Sequence, residues 1–469
     1  MSRRLWCFLL LGLGLVACAR PMARAAPAAD PLRGPYLQRT TPTGVIVAWT
    51  TAATDVGAVH YSADLGYGQV VTATLRIVDV AATPPHNHYT AHTADIGGLA
   101  AGTLYHYQIY SGDQNLLPGE DLTFRTAPDP AASVPFTFQV IGDSGTGSTA
   151  QQTVRDRMME HPADLILHAG DIAYSSGTYD QFEQYVFAIY APLFDHVPFF
   201  PVAGNHDYRT AHAAPYLDLF ELPDNAWRAG DKERYYSFDW GDVHFVAVDT
   251  EDPLAQISDA GSDDMADWLA ADLAATDRFW TVAYLHKPPY SAGAHGGNST
   301  VRDRIVPILE QYDVDLVFSG HEHNYERTYP ILNGQVSTVA EGGVVYIVAG
   351  GSGASLRAVT PGWWTAYVES AYEFVRADVN GCQIRLRAIG LTGNTIDDYT
   401  LDRCVQPTPT PCVLPYDLDG SGQVDLVDIM LVVAFWNDPA GVPQYDLDGD
   451  GDVDVVDIMQ VAAAWGQTC

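Results

Sequence analysis

Two imidazoles one residue apart, His321 and His323, follow a short apolar run, Val314–Phe318, and a Ser319-Gly320 turn. At the end of a buried strand such a pair can offer one nitrogen to each of two metal ions. On its own Gly-His-x-His is a weak pattern, because a polar turn with two exposed histidines looks the same. Four other turns decide between the readings. Phe136–Ile141 runs into Gly142-Asp143, and Leu165–His168 into Gly170-Asp171 with Tyr174 three residues on. Phe199–Val202 runs into Gly204-Asn205-His206-Asp207, and Thr281–Leu285 into His286. All five apolar runs have strand length and end on oxygen or nitrogen donors. Glycine before most of the first donors lets the chain turn sharply. Asp, Asn, His and Tyr form a hard-to-borderline set that suits Fe, Zn or Mn rather than Ca2+ or a thiolate-seeking metal.

These donors need a scaffold that brings distant turns to one edge. From residue 134 to 404 apolar strands, including His244–Val248 and Val345–Val348, alternate with helical spacing at Ala150–Met159, Tyr179–Tyr190, Asp263–Ala274 and Val301–Gln311. The alternation predicts an α/β domain with its donors at strand C-termini, where such sheets hold their sites. Residues 30–128 are expected to be all-β, with strands at Val45–Trp49, Val70–Leu75 and Tyr105–Tyr110 broken by Gly, Pro and Asp turns. His86, His88 and His92 fit a solvated loop, and His168 a core position. His161, His196, His212 and His244 have no partner spacing. Trp363-Trp364 suit a pocket wall and plain packing equally.

At 469 residues the chain has room for two to four domains. A net charge of −34 repels nucleic acid and anionic membrane surfaces, which excludes both as partners. Arg3-Arg4 precede an apolar run, Leu5–Ala17, too short for a membrane-spanning helix, so residues 1–25 are expected to be a signal peptide, and no later stretch is long and apolar enough to span. Two processing routes stay open. Leu15-Val16-Ala17-Cys18 has the form of a lipobox, which would leave Cys18 lipidated, and Ala23-Arg24-Ala25 fits a cleavage site that releases a soluble chain. Both put the mature chain outside the cytoplasm, secreted or at the cell envelope. Beyond Cys7 and Cys18 the cysteines are Cys382, Cys404, Cys412 and Cys469, an even number that suits disulfides. Three pairings are open, and Cys382–Cys404 with Cys412–Cys469 is favoured.

Residues 405–412 hold a Pro/Thr linker, extended and semi-rigid. In the tail, 413–469, eleven Asp and no Lys or Arg surround an internal repeat: Tyr416–Gly422 returns 29 residues later as Tyr445–Gly451. Asp417, Asp419, Ser421, Gln423, Asp425 and Asp428 fall at positions 1, 3, 5, 7, 9 and 12 of a calcium loop, with Gly422 at the bend. Asp446, Asp448, Asp450, Asp452, Asp454 and Asp457 repeat the spacing around Gly451. Ser421 is neutral, so the first loop is the weaker. Asp425 and Asp454 can also cap following helices, whose apolar faces are expected at Ile429, Met430, Val433, Ala434 and at Ile458, Met459, Ala462, Ala463. Asp rather than Glu at position 12 departs from the EF-hand and resembles the duplicated type I dockerin pattern. That resemblance implies a small α domain holding Ca2+ and a cohesin-like protein partner.

The five strand-end motifs resemble the metallophosphoesterase signature, and Tyr174 narrows the likeness to the purple acid phosphatases. It spans residues ~30 to ~404 and includes an N-terminal domain, 30–128, similar to fibronectin type III sandwiches through its tyrosine-corner segment Leu99–Tyr107. The implied fold is multidomain: an all-β sandwich, an α/β catalytic domain at 134–404 of two mixed sheets flanked by helices, and the α tail. The implied site holds two metals about 3.5–4 Å apart. Fe(III) would sit on Asp143, Asp171, Tyr174 and His323, and a divalent Fe, Zn or Mn on Asp171, Asn205, His286 and His321, with Asp171 bridging. The implied activity is that of a secreted acid phosphatase acting on phosphomonoesters through a metal-held hydroxide. His206 and His295 would assist phosphate binding and leaving-group protonation, with Asp207 orienting His206. Plant members often carry His-His where this chain has His295-Gly296, so one phosphate-contacting donor is missing. Two alternatives stand beside this reading: a phosphodiesterase or nucleotidase on the same site, and a calcium-dependent adaptor whose tail is the functional part. Neither substrate nor oligomeric state has a readable motif.

Overall fold

The computed structural model describes residues 31–251, 264–404, 414–419, 421, 423–436 and 444–467. The signal segment with Cys7 and Cys18, the linker, Gly420, Gly422, Cys412 and Cys469 lie outside the described residues. The chain divides into two compact units, one ending at Arg403 and the other beginning at Cys404. Among the described residues no helix is long and apolar enough to cross a membrane.

β-Branched and aromatic residues build the first sheets. Arg33–Gln38, Gly44–Thr51, His88–Gly97 and Thr74–Asp79 pair in that order, and Gln69–Thr72, Gly57–Ser62 and Leu104–Ser111 form the core of a second sheet. Trp49, Tyr107 and Phe124 are buried among them. The Tyr105 hydroxyl accepts the Ala100 N–H at 3.0 Å, the geometry of a tyrosine corner. The run expected as one strand, Val70–Leu75, is two strands in different sheets. Ala73 breaks it by donating its N–H to Gly57 O at 2.9 Å, and its small buried side chain lets the chain cross over. His88 and His92 lie in a strand, not a solvated loop. His92 stacks on Trp49 at 5.0 Å and meets Thr51 Oγ1 at 2.9 Å, and burial holds its pKa down at about 4.

Two further sheets face each other. Phe199–Val202, Leu165–Ala169, Phe136–Ile141, Glu373–Asn380, Gln383–Gly390 and Thr395–Asp402 make one. Tyr236–Trp240, Val243–Val248, Trp280–Leu285, Leu316–Ser319, Val345–Ala349, Tyr325–Thr328 and Thr365–Glu369 make the other. The site-bearing strands pair in parallel within each sheet. Parallel strands are covered on both faces, which is why they read as unbroken apolar runs. The sheets interlock through Phe138, whose ring meets Phe245 at 5.3 Å and Phe318 at 6.0 Å, both edge to face.

Helix Thr149–Glu160 opens at Ser148, whose hydroxyl accepts the Gln151 N–H at 3.2 Å. The helix expected at Tyr179–Tyr190 is interrupted by a π-helical turn, Glu183–Phe187. That turn carries Glu183 to Arg33 in the first sandwich, where the guanidinium Nε donates to its carboxylate at 3.1 Å and lies 4.3 Å over the Phe187 ring. Cys382 and Cys404 are each disulfide-bonded. Of the tryptophan pair, Trp364 donates to buried Glu326 at 3.0 Å while Trp363 stays exposed.

In the second unit, helices Leu426–Val433 and Val455–Ala463 pack through Val424, Val432, Val453 and Val461, all fully buried. The inward face is therefore only in part the expected one. Ile429 and Ile458 pack against this cluster as expected, but Met430, Val433 and Met459 point to solvent, and Asp428 with Val432, and Asp457 with Val461, are buried instead.

Candidate metal centre

The strand ends bring all seven expected ligands to one place. Tyr174 is the hub: its hydroxyl lies 2.8 Å from Asp143 Oδ1, 3.0 Å from Asp171 Oδ2 and 3.2 Å from His323 Nε2. His286 Nε2 lies 3.4 Å from Asp171 Oδ1 and 3.3 Å from Asn205 Oδ1. The His321 ring stands 5.1 Å from the His286 ring, edge to face. Asp143, Asp171 and His321 adopt φ of 54°, 55° and 69°, a region that costs a non-glycine residue and persists where the surroundings enforce it. The enforcement is close packing. A Cβ on Gly204 would lie 2.4 Å from Asp171 Oδ1, and one on Gly320 2.5 Å from Asp143 Oδ2.

The imidazoles are aimed by backbone carbonyls. His286 Nδ1 lies 2.9 Å from Ala169 O and His323 Nδ1 2.8 Å from Ser355 O. A carbonyl only accepts, so both rings carry the proton on Nδ1 and turn Nε2 to the centre, as metal-binding histidines do. Burial alone would hold the His286 imidazole down, but Asp171, Asp143 and Glu251 push it up to about 10. Burial and the carboxylates of Asp143 and Asp171 drive the Tyr174 phenol far above its ordinary range. Burial and His286 hold His321 neutral, down at about 2. The cluster holds more negative potential than its own side chains neutralise, and cations meet that demand. Ligand atoms of Asp143, Asp171 and His286 lie within 4.8 Å of one another. Donor types, ring orientation and the glycine cradle all fit a dinuclear metal site.

Two other histidines border the centre. His206 packs its ring 4.4 Å from that of Tyr174, donates its backbone N–H to Asp171 Oδ1 at 2.7 Å and holds Nδ1 2.7 Å from Ser175 O. His295 lies half-exposed, its ring 5.1 Å from that of His321. Gly296 beside it takes φ 72° and leaves open space where a second histidine would stand. Asp207 does not orient His206. Its buried carboxylate accepts the N–H groups of Gly204 at 2.8 Å, and of Ile172 and Ala173 at 3.0 Å, stapling two ligand turns together.

Two charged residues here carry no sequence signal of their role. Glu322, between the two ligand histidines, is fully buried and accepts the His295 backbone N–H. Arg357 reaches back from a later loop to Glu322, His295 and the His321 carbonyl. A buried carboxylate in the His-x-His motif hints that a cation must follow, but its position is visible only in three dimensions.

In the tail, Asp417, Asp419 and Asp428 converge within 4.8 Å, and so do Asp446, Asp448 and Asp457. Asp425 and Asp454 also cap their helices, accepting the N–H of Val427 at 2.7 Å and of Val456 at 2.6 Å. Ser421 donates its hydroxyl to Gln423 O at 3.1 Å, and Asp450 Oδ1 accepts the Asp452 N–H at 3.2 Å.

Known proteins share both units. Residues 136–325 match the calcineurin-like phosphoesterase family, and residues 415–464 the dockerin type I domain. Purple acid phosphatase 21 of Arabidopsis thaliana is 29% identical over 278 residues, covering 57% of this chain and 59% of the relative. Purple acid phosphatase 23 of the same plant is 30% identical over 301 residues, 56% of this chain and 62% of the relative. The chain thus spans about three fifths of the length of these curated relatives. The purple acid phosphatase from yellow lupin (Lupinus luteus) seeds superposes with a TM-score of 0.67 at 20% identity, over 78% of this chain and 74% of that one, a likeness of fold. The strand-end ligands, the tyrosine that joins them and these relatives agree: the chain carries a calcineurin-like phosphoesterase domain at residues 136–325 and a type I dockerin domain at 415–464, and is similar to the purple acid phosphatases.

Proposed function

We propose that this protein is an extracytoplasmic acid phosphatase that hydrolyses phosphomonoesters at an iron–divalent metal pair. The observation that carries the proposal is the position of Tyr174, whose hydroxyl is within 3.2 Å of two carboxylates and an imidazole. A phenolate, two carboxylates and one imidazole favour a trivalent ion, while Asp171, Asn205, His286 and His321 suit a divalent one, with Fe, Zn or Mn as candidates. Such a pair, when bound, supplies an activated water at neutral pH and charge to stabilise an in-line displacement at phosphorus. Around it His206 and His295 assist: they hold phosphate oxygens and supply the proton that the leaving alcohol takes up. The charged N-terminal segment supports secretion, and the twin Asp clusters of the tail support two Ca2+ and docking to a cohesin-like partner.

The test is metal content with the visible spectrum, beside turnover of nitrophenyl phosphate and bis(nitrophenyl) phosphate. The expected result is two transition metals per chain, a visible band lost in Tyr174→Phe, and dominant monoester hydrolysis. Dominant diester hydrolysis would make the protein a phosphodiesterase, and fewer than two metals without turnover would leave the tail as its functional part.

A further inference from the structure

We propose that Arg357 is a positioning residue that fixes His295 with its proton on Nε2, which makes His295 a hydrogen-bond donor to substrate rather than the source of the leaving-group proton. The role of His295 toward substrate rests on the phosphatase reading; its tautomer does not.

Arg357 is anchored beside both ligand histidines. Its N–H donates to His323 O at 3.1 Å and its carbonyl accepts the Ser370 hydroxyl at 2.7 Å. Its Nη1 lies 2.8 Å from His295 Nδ1, donates to His321 O, and stands 3.4 Å from Glu322 Oε2. A guanidinium has donors and no acceptor, and it stays charged throughout the working pH range. His295 Nδ1 must therefore present its lone pair to Arg357, and the ring proton sits on Nε2.

Glu322 competes for the same nitrogen, and Glu322 Oε1 lies 3.3 Å from Nδ1. A proton on Nδ1 would favour that carboxylate. Three facts favour Arg357: it is nearer, Glu322 Oε1 is already engaged by the His295 backbone N–H, and Glu322 Oε2 faces Arg357 itself. Without Arg357, Glu322 becomes the one partner of Nδ1, the proton moves there, and Nε2 loses its hydrogen.

A neutral ring with hydrogen on Nε2 can bind a phosphate oxygen, but giving that proton away would leave an imidazolate. His295 therefore keeps its proton, and the one taken up by the leaving alcohol comes from a different donor; His206, with Nδ1 2.7 Å from Ser175 O and Nε2 3.5 Å from Arg209 Nη2, borders the same centre. The arrangement supplies a donor on the side where Gly296 offers none.

The experiment is two-bond 1H–15N correlation of histidine-labelled full-length protein, with His295→Gln assigning the signal, on wild type, Arg357→Met and Arg357→Lys. Wild type should give the Nε2–H pattern, Arg357→Met should move toward Nδ1–H, and Arg357→Lys, which keeps a donor, should restore the original. In kinetics, His295→Ala and Arg357→Met should lose roughly 10- to 100-fold in kcat/KM. The loss should be equal for nitrophenyl phosphate and an alkyl phosphate, and His295→Gln should recover part of it. The same tautomer in wild type and Arg357→Met, or a loss confined to the alkyl ester, overturns the proposal. If the metal-loaded wild type hydrolyses neither ester, the phosphatase reading fails, and the tautomer spectra still decide what Arg357 does.

Discussion

The metal centre and the calcium loops are both clusters of acidic side chains, but they are assembled in opposite ways. The centre draws its ligands from five turns between Asp143 and His323, each at the end of a strand held in a sheet. Each calcium loop takes its oxygens from a dozen consecutive residues, with Asp419 and Asp448 exposed. Long-range assembly makes the first site stiff before any ion arrives, since moving one ligand means moving a strand. Local assembly leaves the second site to be shaped by its ion. Neighbouring carboxylates already push the exposed Asp452 above its ordinary range, Asp450 first among them. Acidic clusters of similar composition are thus expected to differ in what binding would do: complete a preformed site in one unit and contribute to folding in the other.

The contrast can be broken at the centre first. Asp171→Asn should lower kcat/KM on nitrophenyl phosphate by about 10^3-fold or more while far-UV dichroism stays native, because the sheets position the site without the metal bridge. A collapse of the fold would mean that the centre, like the loops, depends on its ions. Removing calcium with a selective chelator should next make the tail protease-sensitive, with turnover on a small substrate unchanged within about twofold. Protection that persists without calcium would count against the loop assignment.

A third measurement concerns pH. His244 is buried between Asp239 and Asp272, whose hydrogen bonds overcome burial and push it up to about 9. A raised histidine contributes stability that is complete below its unfolded value of about 6.5 and fades as pH rises through 9. The first unit should lose on the order of 3 kcal/mol across that window. His244→Gln should flatten the dependence in calorimetry, and the tail's own transition, with no histidine, should not follow it. The smallest effect is expected at the caps. Asp425→Ala and Asp454→Ala should each cost the calcium-loaded tail about 1 kcal/mol. Unequal losses would reveal that the repeats are less alike than their matching hydrogen bonds indicate.

How much of this was legible in the chain follows the same division. Parallel strands covered on both faces leave unbroken apolar runs, so Phe136–Ile141 and Phe199–Val202 could be bounded to the residue. Each ligand stood beside such a run. What stayed hidden depends on partners far away in sequence. Ala73 splits an apolar run because Gly57 waits for its N–H. Asp207 serves backbone groups of another turn instead of the imidazole next to it. His92, from a run of histidines that looked solvated, is a core ring because Trp49 lies opposite. Met430 and Met459 carry the right period for a helix, but Val432 and Val461, packed on Val424 and Val453 from the loops, mark the buried face.

The ion pair of Arg33 with Glu183 bears on how this chain can be trimmed. Both side chains are nearly inaccessible to water, and the guanidinium is the closest counter-charge to that carboxylate. A shortened chain beginning near residue 134 would keep every metal ligand and strand of the two facing sheets yet strip Arg33 and His86 from Glu183 and uncover the Phe187 ring, which packs 5.0 Å from that of Tyr36. The β-sandwich is thus a wall of the catalytic body rather than a removable accessory. A trimmed version would need a polar residue in place of Phe187 on that uncovered face before it could stand by itself.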